Sequence, residues 1–237
     1  MTQTESPRAA LEARYYQAAM DYLHSLPLEH FMESPPHATQ RKITLESLDL
    51  LVARRPDVHV FNELLVQYPR PRRKKPGQVV PDNMVVIHAG PIDAEWSYNT
   101  PLVKPRPFWI LEYVSKNSKR KDYVDNLRRY ERDLKVPYYL LFDPRKQKLS
   151  LYHHDGKRYV ALEPNAAGRL EIPELDLEMA ILDGWVRFWH KAKLLPLPAD
   201  MQKDLDEVTR RAENAEREVA ELRKQIEKMR TKKNGKH

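Results

Sequence analysis

Two acidic residues occupy positions where strands are expected, and carboxylates placed in this way can bind a metal ion. Asp82 follows Pro81 at the start of a β-branched segment, and Glu112 lies inside the apolar segment 108–114. A carboxylate is costly to bury without a partner, so a cation or a metal ion is expected beside Glu112. Two carboxylates on neighbouring strands supply the hard oxygen ligands that suit Mg²⁺ or Mn²⁺. On these residues alone, a structural ion pair is the competing interpretation.

A lysine near such a carboxylate could take part in hydrolysis. Side chains at positions 112, 114 and 116 of a strand share one face, and position 114 is Val. Lys116 is therefore the first amine expected beside Glu112, and Lys121 is the second. Such an amine can orient a water molecule or neutralise developing charge. Glu46, on the preceding predicted helix, is either an extra ligand or an exposed helix residue.

Basic residues form two groups that could contact phosphates. The first group is in a proline-rich loop and the second follows Glu112; their members are Arg70, Arg72, Arg73, Lys74, Lys75, and then Lys119 and Arg120. The whole chain has a net charge of +7 and a pI near 9.4, which permits an acidic partner such as DNA without demonstrating one. For the loop, an ordinary solvated connection remains the alternative.

Composition excludes several other functions. The chain has no cysteine, which rules out disulfides, thiolate catalysis and zinc sites built on cysteine. Residues 1–14 lack the apolar core of a signal peptide, and no apolar run approaches the length of a membrane span. We therefore expect a soluble cytoplasmic protein with no membrane association and no small-molecule cofactor.

The elements that must position the two carboxylates follow from hydrophobic periodicity. Helices are predicted over 11–26, 41–54, 119–134 and 175–190, the last interrupted at Gly184, and residues 27–40 are predicted to be irregular. Strands are predicted around 58–67, 84–87, 108–114 and 138–142, with a hairpin of 149–152 and 158–162. This order predicts an α/β domain with a mixed sheet flanked by helices, and Trp109, Leu111 and Phe142 should belong to its core.

The C-terminal segment has a different pattern. From Met201 to Met229, apolar residues alternate at spacings of four and three, with charged or polar residues between them. Four heptads of this kind predict a coiled coil, and the β-branched residue at position a with Leu at d, as in Val219 and Leu222, favours two parallel strands. A single helix stabilised by ion pairs along its length is the alternative.

The chain is predicted to divide into four parts. They are a lead-in at 1–40, a main domain at 41–198, a coiled coil at 199–230 that forms a homodimer through 201–229, and a basic tail at 231–237.

Several segments, in order, carry a resemblance to a known family. They are Pro81-Asp82 before a strand, the segment 111–115, Asp122 with Tyr130 eight residues later, the segment 136–144, and the segment 182–189. Together they resemble the Uma-type restriction endonucleases of the PD-(D/E)XK nuclease superfamily, over roughly residues 40–198. The resemblance implies a restriction-endonuclease-like fold, with Asp82 and Glu112 as metal ligands in Mg²⁺-dependent hydrolysis of DNA.

One position departs from that family. Many relatives carry a lysine on the helix after the glutamate, and the corresponding residue here is Asn126. Lys116 or Lys121 would have to replace it in an active endonuclease. The alternatives are a catalytically weak module of the same fold that binds DNA or a protein, and a coiled-coil interaction protein whose globular part positions a partner.

Overall fold

A six-stranded mixed sheet forms the centre of the protein. It is seen in a computed structural model that describes residues 6–27, 33–71, 73–115 and 121–234, with side chains up to 226 except those of 121–123. Its strands are β1 (Val58–Asn62), β4 (Asn83–Ile87), β6 (Trp109–Tyr113), β7 (Tyr138–Asp143), β8 (Lys148–His154) and β9 (Tyr159–Ala161), in that spatial order. β6 and β7 run parallel, and all other neighbours in the sheet are antiparallel.

One face of this sheet packs on helix α2 (Pro35–Val52) and on a second sheet of four strands. The second sheet consists of β10 (Leu170–Ile172), β11 (Leu177–Leu182), β12 (Trp185–His190) and β13 (Lys193–Leu194). Trp109, Leu111 and Phe142 are each 1% exposed on this face, which confirms the predicted core. Gln40 joins α2 to β12, because its side-chain amide donates to the Val186 carbonyl at 3.1 Å and accepts from the Val186 N–H at 2.7 Å.

The opposite face of the central sheet is covered by the helical segment 121–134 and by a small three-stranded sheet. That sheet consists of β2 (Val66–Tyr68), β3 (Gly77–Val79) and β5 (Tyr98–Asn99). Helix α1 (Pro7–Ser25) is bonded to it, because the amide of Gln67 donates to the Tyr15 carbonyl at 2.8 Å and that of Gln78 donates to the Ala18 carbonyl at 2.7 Å. The segment 121–134 is wound mainly as two π-helical stretches, Lys121–Asn126 and Arg129–Leu134.

The helix predicted over 175–190 is wrong. The structure has a hairpin there, in which β11 and β12 pair over six residues on each strand. Asp183 and Gly184 form its turn, with φ values of 53° and 83°. Two consecutive residues with positive φ make the tight turn that matches the twist of paired strands, and Asp-Gly is a preferred sequence for it. Leu177, Met179 and Phe188 are buried with the period of two that a half-buried strand shows.

Further boundaries differ from the predictions, and the first is that of helix α1, which begins at Pro7 and not at residue 11. Helix α2 begins at Pro35, so residues 35–40, predicted to be irregular, are helical; proline fits the first turn of a helix because the N–H it lacks has no partner there. The single strand predicted at 58–67 is two strands, β1 and β2, which belong to different sheets. Glu63 separates them with a φ of 49°. The other predicted strands are confirmed, as is the mixed α/β class.

The C-terminal segment forms one helix, α3 (Pro198–Asn234), of 37 residues. Residues 1–195 and 196–237 are separate compact units. The described apolar side chains of the heptads are 40–61% exposed, apart from the alanines; they are Met201, Leu205, Val208, Val219, Leu222 and Ile226. Every helix in the described part of the chain is too short or too polar to cross a lipid bilayer.

Candidate active site

The central sheet brings Asp82 and Glu112 together. The antiparallel ladder of β4 and β6 ends at the pair of Asn83 and Leu111, so Asp82 and Glu112 are the next residues along the two chain segments. Oδ2 of Asp82 accepts the N–H of Tyr113, the residue that follows Glu112, at 2.6 Å. Both carboxylates also help to raise the pKa of two buried phenols, Tyr113 and Tyr130, although burial of those phenols is the larger cause. The two acidic residues predicted from the sequence therefore share one location.

Glu112 is held by residues of the helical segment that follows β6. The residue is 2% exposed, and its Oε1 accepts hydrogen bonds from the Asn126 amide at 3.0 Å and from the Tyr130 hydroxyl at 2.6 Å. Burial, reinforced by the charge of Glu112, raises the pKa of Tyr130 well above its ordinary value. The hydroxyl therefore stays protonated and donates at any physiological pH. Two buried donors on one oxygen restrict rotation of the carboxylate.

Asp82 is held from three directions at the start of β4. Its Oδ2 accepts the Tyr113 N–H at 2.6 Å, and its backbone carbonyl accepts the Glu63 N–H at 3.2 Å. Its Oδ1 lies 3.5 Å from Nε2 of His37, an ion-pair distance. Burial lowers the pKa of His37, but the adjacent Asp82, with Glu33 and Glu63, outweighs burial and raises that pKa above its ordinary value. The imidazole is therefore biased towards its charged form beside Asp82.

The amines predicted to assist catalysis are not placed by the structure. Lys116, Lys119 and Arg120 lie outside the described residues, as do Arg72 and the side chain of Lys121. Their roles stay predictions.

Helix α2 carries one predicted site residue, Glu46, the possible extra ligand. Its Oε1 lies 3.8 Å from Nζ of Lys42, one helical turn away. The α2 residue that reaches Asp82 is His37.

A basic surface lies around the loop between β2 and β3. Arg70, Arg73, Lys74 and Lys75 are exposed, and the guanidinium of Arg14, from α1, donates to the Lys74 carbonyl. Arg14 was missed by the sequence reasoning because it is 60 residues from the loop in the chain.

Tyr68 links this loop to the segment that holds Glu112. Burial raises the pKa of the Tyr68 phenol to about 12; Asp133 acts in the same direction, whereas the charges of Arg129 and Arg70 oppose it. The phenol is thus influenced by charges of both signs, from Asp133, Arg129 and Arg70. Arg129 is also 3.4 Å from Oδ1 of Asn126, the residue that donates to Glu112.

The carboxylate pair fits a divalent cation that is completed by other ligands. Among the described residues, no group of three or more histidine, aspartate or glutamate side chains could enclose a metal ion. Mg²⁺ commonly binds through one or two carboxylates and takes its remaining ligands from water and substrate phosphates. Asp82 and Glu112, which adjoin the last pair of the β4–β6 ladder and are oriented by hydrogen bonds, match that mode of binding.

Comparison with known proteins identifies the family of the chain. The family Uma2, described as "Putative restriction endonuclease", matches residues 28–183, and the chain belongs to this family. Membership supports a nuclease function in general, and restriction-endonuclease-like proteins usually use divalent metal ions. A search of curated proteins found no match.

A solved structure also resembles the chain. It is described as the crystal structure of a "putative nuclease belonging to DUF820" from Anabaena variabilis ATCC 29413. The two chains are 18% identical, and the similarity covers 61% of this chain and 75% of that one with a TM-score of 0.46.

Proposed function

We propose that the protein is a Mg²⁺-dependent endonuclease that hydrolyses DNA phosphodiester bonds, with Asp82 and Glu112 as the metal ligands. The observation that supports this most directly is that two carboxylates, one just before β4 and one on β6, are both held by hydrogen-bond donors of β6 and of the segment that follows it. Mn²⁺ should substitute for Mg²⁺, because carboxylate ligands suit both ions. The proposed setting is the cytoplasm, and no small-molecule cofactor is required.

The side chains around the pair have separable roles in hydrolysis. A bound divalent ion lowers the pKa of a coordinated water molecule and stabilises charge on the phosphate. Tyr113 holds Asp82 through its N–H, and Asn126 with Tyr130 holds Glu112, so both ligands keep their orientation when substrate arrives. We propose Lys116 first, and Lys121 second, as the amine that orients the attacking water. The water loses a proton to solvent as its oxygen bonds to phosphorus, the P–O ester bond breaks, and the displaced oxygen takes a proton from solvent.

We propose that DNA contacts the basic residues of the β2–β3 loop and the two that follow β6 in the chain; they are Arg70, Arg72, Arg73, Lys74 and Lys75, and then Lys119 and Arg120. Arg129 is a further cation of the segment that holds Glu112, 3.4 Å from Oδ1 of Asn126. Contacts of this kind bind phosphates without reading sequence.

An assay of DNA cleavage tests the catalytic part. Wild-type protein should cut DNA with Mg²⁺ or Mn²⁺ and not with EDTA, and Glu112→Gln should abolish cutting because it removes a ligand charge while keeping the shape. Lys116→Ala should reduce cutting and leave metal binding intact, with Lys121→Ala as the next variant. If wild type cuts no DNA and its thermal stability does not change with Mg²⁺ or Mn²⁺, the endonuclease proposal fails.

Binding can be tested separately in EDTA. Arg73→Ala should weaken binding to all DNA sequences alike and reduce the slope of log affinity against log salt by roughly one. Arg158→Ala, which removes an exposed cation in the β8–β9 turn, is the matched control and should change neither quantity. Equal slopes for wild type and Arg73→Ala would place the DNA elsewhere.

One observation favours a second candidate function. Asn126, at the position where many relatives have a lysine, donates its neutral amide to Glu112 at 3.0 Å. An amide can position the carboxylate but cannot supply a positive charge. We propose as the alternative a catalytically weak module that binds DNA or a protein partner. It predicts that no DNA is cut in the assays above.

We also propose that the protein is a homodimer through residues 201–229. The apolar stripe of α3 is exposed along its length. In a parallel pair, Arg211 would face the partner subunit's Glu216, and Glu218 would face the partner subunit's Arg223, so the flanking charges are complementary. In full-length protein, Leu222→Glu should halve the mass measured by light scattering, whereas Arg217→Gln, on the outer face, should not. A wild-type monomer would contradict the proposal.

A further inference from the structure

Helix α2 reaches the carboxylate site through His37, in its first turn. Nε2 of His37 faces Oδ1 of Asp82 at 3.5 Å, and the imidazole ring meets the ring of Tyr113 edge-on, with centroids 5.2 Å apart. Within the described part of the chain, this buried Nε2 has no partner at full hydrogen-bond geometry. Asp82 is therefore the polar group towards which the nitrogen is directed.

The other carboxylates near His37, those of Glu33 and Glu63, lie beside a different basic residue. Arg41, one turn further along α2, pairs with Glu33 and lies 3.3 Å from Glu63. His37 is therefore left as the basic group of α2 that addresses Asp82. The division matters because Asp82 is a proposed metal ligand, whereas Glu33 and Glu63 both have Arg41 beside them.

The ring of Tyr113 holds the imidazole in place. Its hydroxyl shares a hydrogen bond of 2.5 Å with Thr44 of α2, and its backbone N–H donates to Asp82. One residue of β6 therefore contacts the helix, the imidazole and the carboxylate together. A closed arrangement of this kind fixes both the position of His37 and the direction of Asp82.

We propose that His37 is a positioning residue that holds Asp82 in the orientation needed to bind a divalent metal ion. This inference rests on the proposed function, because Asp82 matters to it as a metal ligand. Hydrogen-bond partners of metal ligands restrict the rotation of those ligands, and losing one commonly weakens metal binding about 10–100-fold. When the metal binds, a small adjustment is enough for Nε2 to donate a full hydrogen bond to Oδ1.

The test is Mn²⁺ binding to the full-length protein, followed by electron paramagnetic resonance of the free ion. Two amide variants form the matched pair. His37→Gln places an amide nitrogen where Nε2 stands, whereas His37→Asn keeps an amide that is too short to reach Asp82. The Asn variant should bind Mn²⁺ about 10–100-fold more weakly, and the Gln variant should recover most of that loss. His59→Ala, which removes a half-buried imidazole bonded to the His88 carbonyl, should bind like wild type.

Each result decides the proposal. Wild-type affinity in His37→Asn, or tighter binding, would overturn the positioning role and leave the metal site intact. Equal weakening in the Asn and Gln variants would also overturn it, since hydrogen-bond reach would not then be the property that matters. A wild-type protein that binds no Mn²⁺ would overturn both this inference and the proposed metal site. Urea denaturation without metal should give similar midpoints for the two amide variants, so that a difference in affinity reports the site itself.

Discussion

Glu112→Gln should remove the stabilisation that a divalent metal ion gives to the folded protein. The variant keeps the shape of the side chain, and its amide oxygen can still accept from Asn126 and Tyr130, as the carboxylate does at 3.0 and 2.6 Å. It removes one of two ligand charges, so the loss should fall on metal affinity more than on packing. The measurement is thermal denaturation with EDTA and with increasing Mg²⁺.

The size of the effect follows from binding to the folded state alone. A metal ion at 100 times its dissociation constant stabilises the folded state by about 2.7 kcal/mol. For a domain of 150–250 residues, each kcal/mol raises Tm by roughly 2–4 °C, so wild-type Tm should rise by about 5–11 °C. Glu112→Gln should show almost none of this rise, because the variant has only one charged ligand left and should bind the ion much more weakly.

Glu174→Gln is the matched control. The Glu174 carboxylate also accepts a hydrogen bond from a tyrosine hydroxyl, that of Tyr138 at 2.9 Å. However, Glu174 lies in the short 3-10 turn Pro173–Leu175, between β10 and β11 of the four-stranded sheet. This variant should keep the full metal-dependent rise. A wild-type protein whose Tm does not respond to Mg²⁺ or Mn²⁺, or a Glu112→Gln protein that keeps the whole rise, would refute the assignment of the metal ligands.

Three further predictions concern stability. Leu111→Ala, at 1% exposure in the central sheet, should cost about 2–5 kcal/mol in urea denaturation, and an unchanged midpoint would contradict the packing. Gly77→Ala should cost about 1–3 kcal/mol, because a Cβ there would lie 2.2 Å from the Tyr68 ring; a neutral result would mean that the ring moves aside readily. Burial, with the charge of Arg54, holds the pKa of His190 below its ordinary value, so the folded state resists protonation of His190. Wild type should therefore lose stability relative to His190→Gln as the pH falls through roughly 6.5, and parallel pH profiles would contradict this.

The central strands could be predicted because their residues satisfy several requirements at once. Segments 84–87, 108–114 and 138–142 are apolar on both faces, as strands covered on both sides must be, and turn residues bound them. The hairpin of β11 and β12 failed because its aromatic and aliphatic residues also fit a helical period. The Asp183-Gly184 pair was the signal that could have separated the two, since Asp-Gly between apolar runs favours a tight turn over an interrupted helix.

The candidate site was predicted only as far as its chemistry depends on strand positions. Asp82 and Glu112 stood out because carboxylates are unusual in such segments. Asn126 and Tyr130 were singled out only through the family resemblance, and no local pattern showed that they donate to Glu112. His37 and Arg14 were not singled out at all, because their contacts arise from packing between elements far apart in the chain. His37 meets Asp82 only because α2 lies on the central sheet with its first turn at the start of β4. Local sequence patterns carry no information about such a meeting.

The topology of the sheet explains why the carboxylate of Glu112 is buried among hydrogen-bond donors. β6 and β7 are parallel, so the chain must cross over between them, and the crossover is the helical segment 121–134. The same segment supplies two donors to Oε1, from Asn126 and Tyr130, which are four residues apart and therefore lie on one helical face. A carboxylate on β6 that faces the crossover can therefore take donors from the connection itself. Asp82, which precedes β4, is held by a backbone N–H of β6 and by an imidazole from α2.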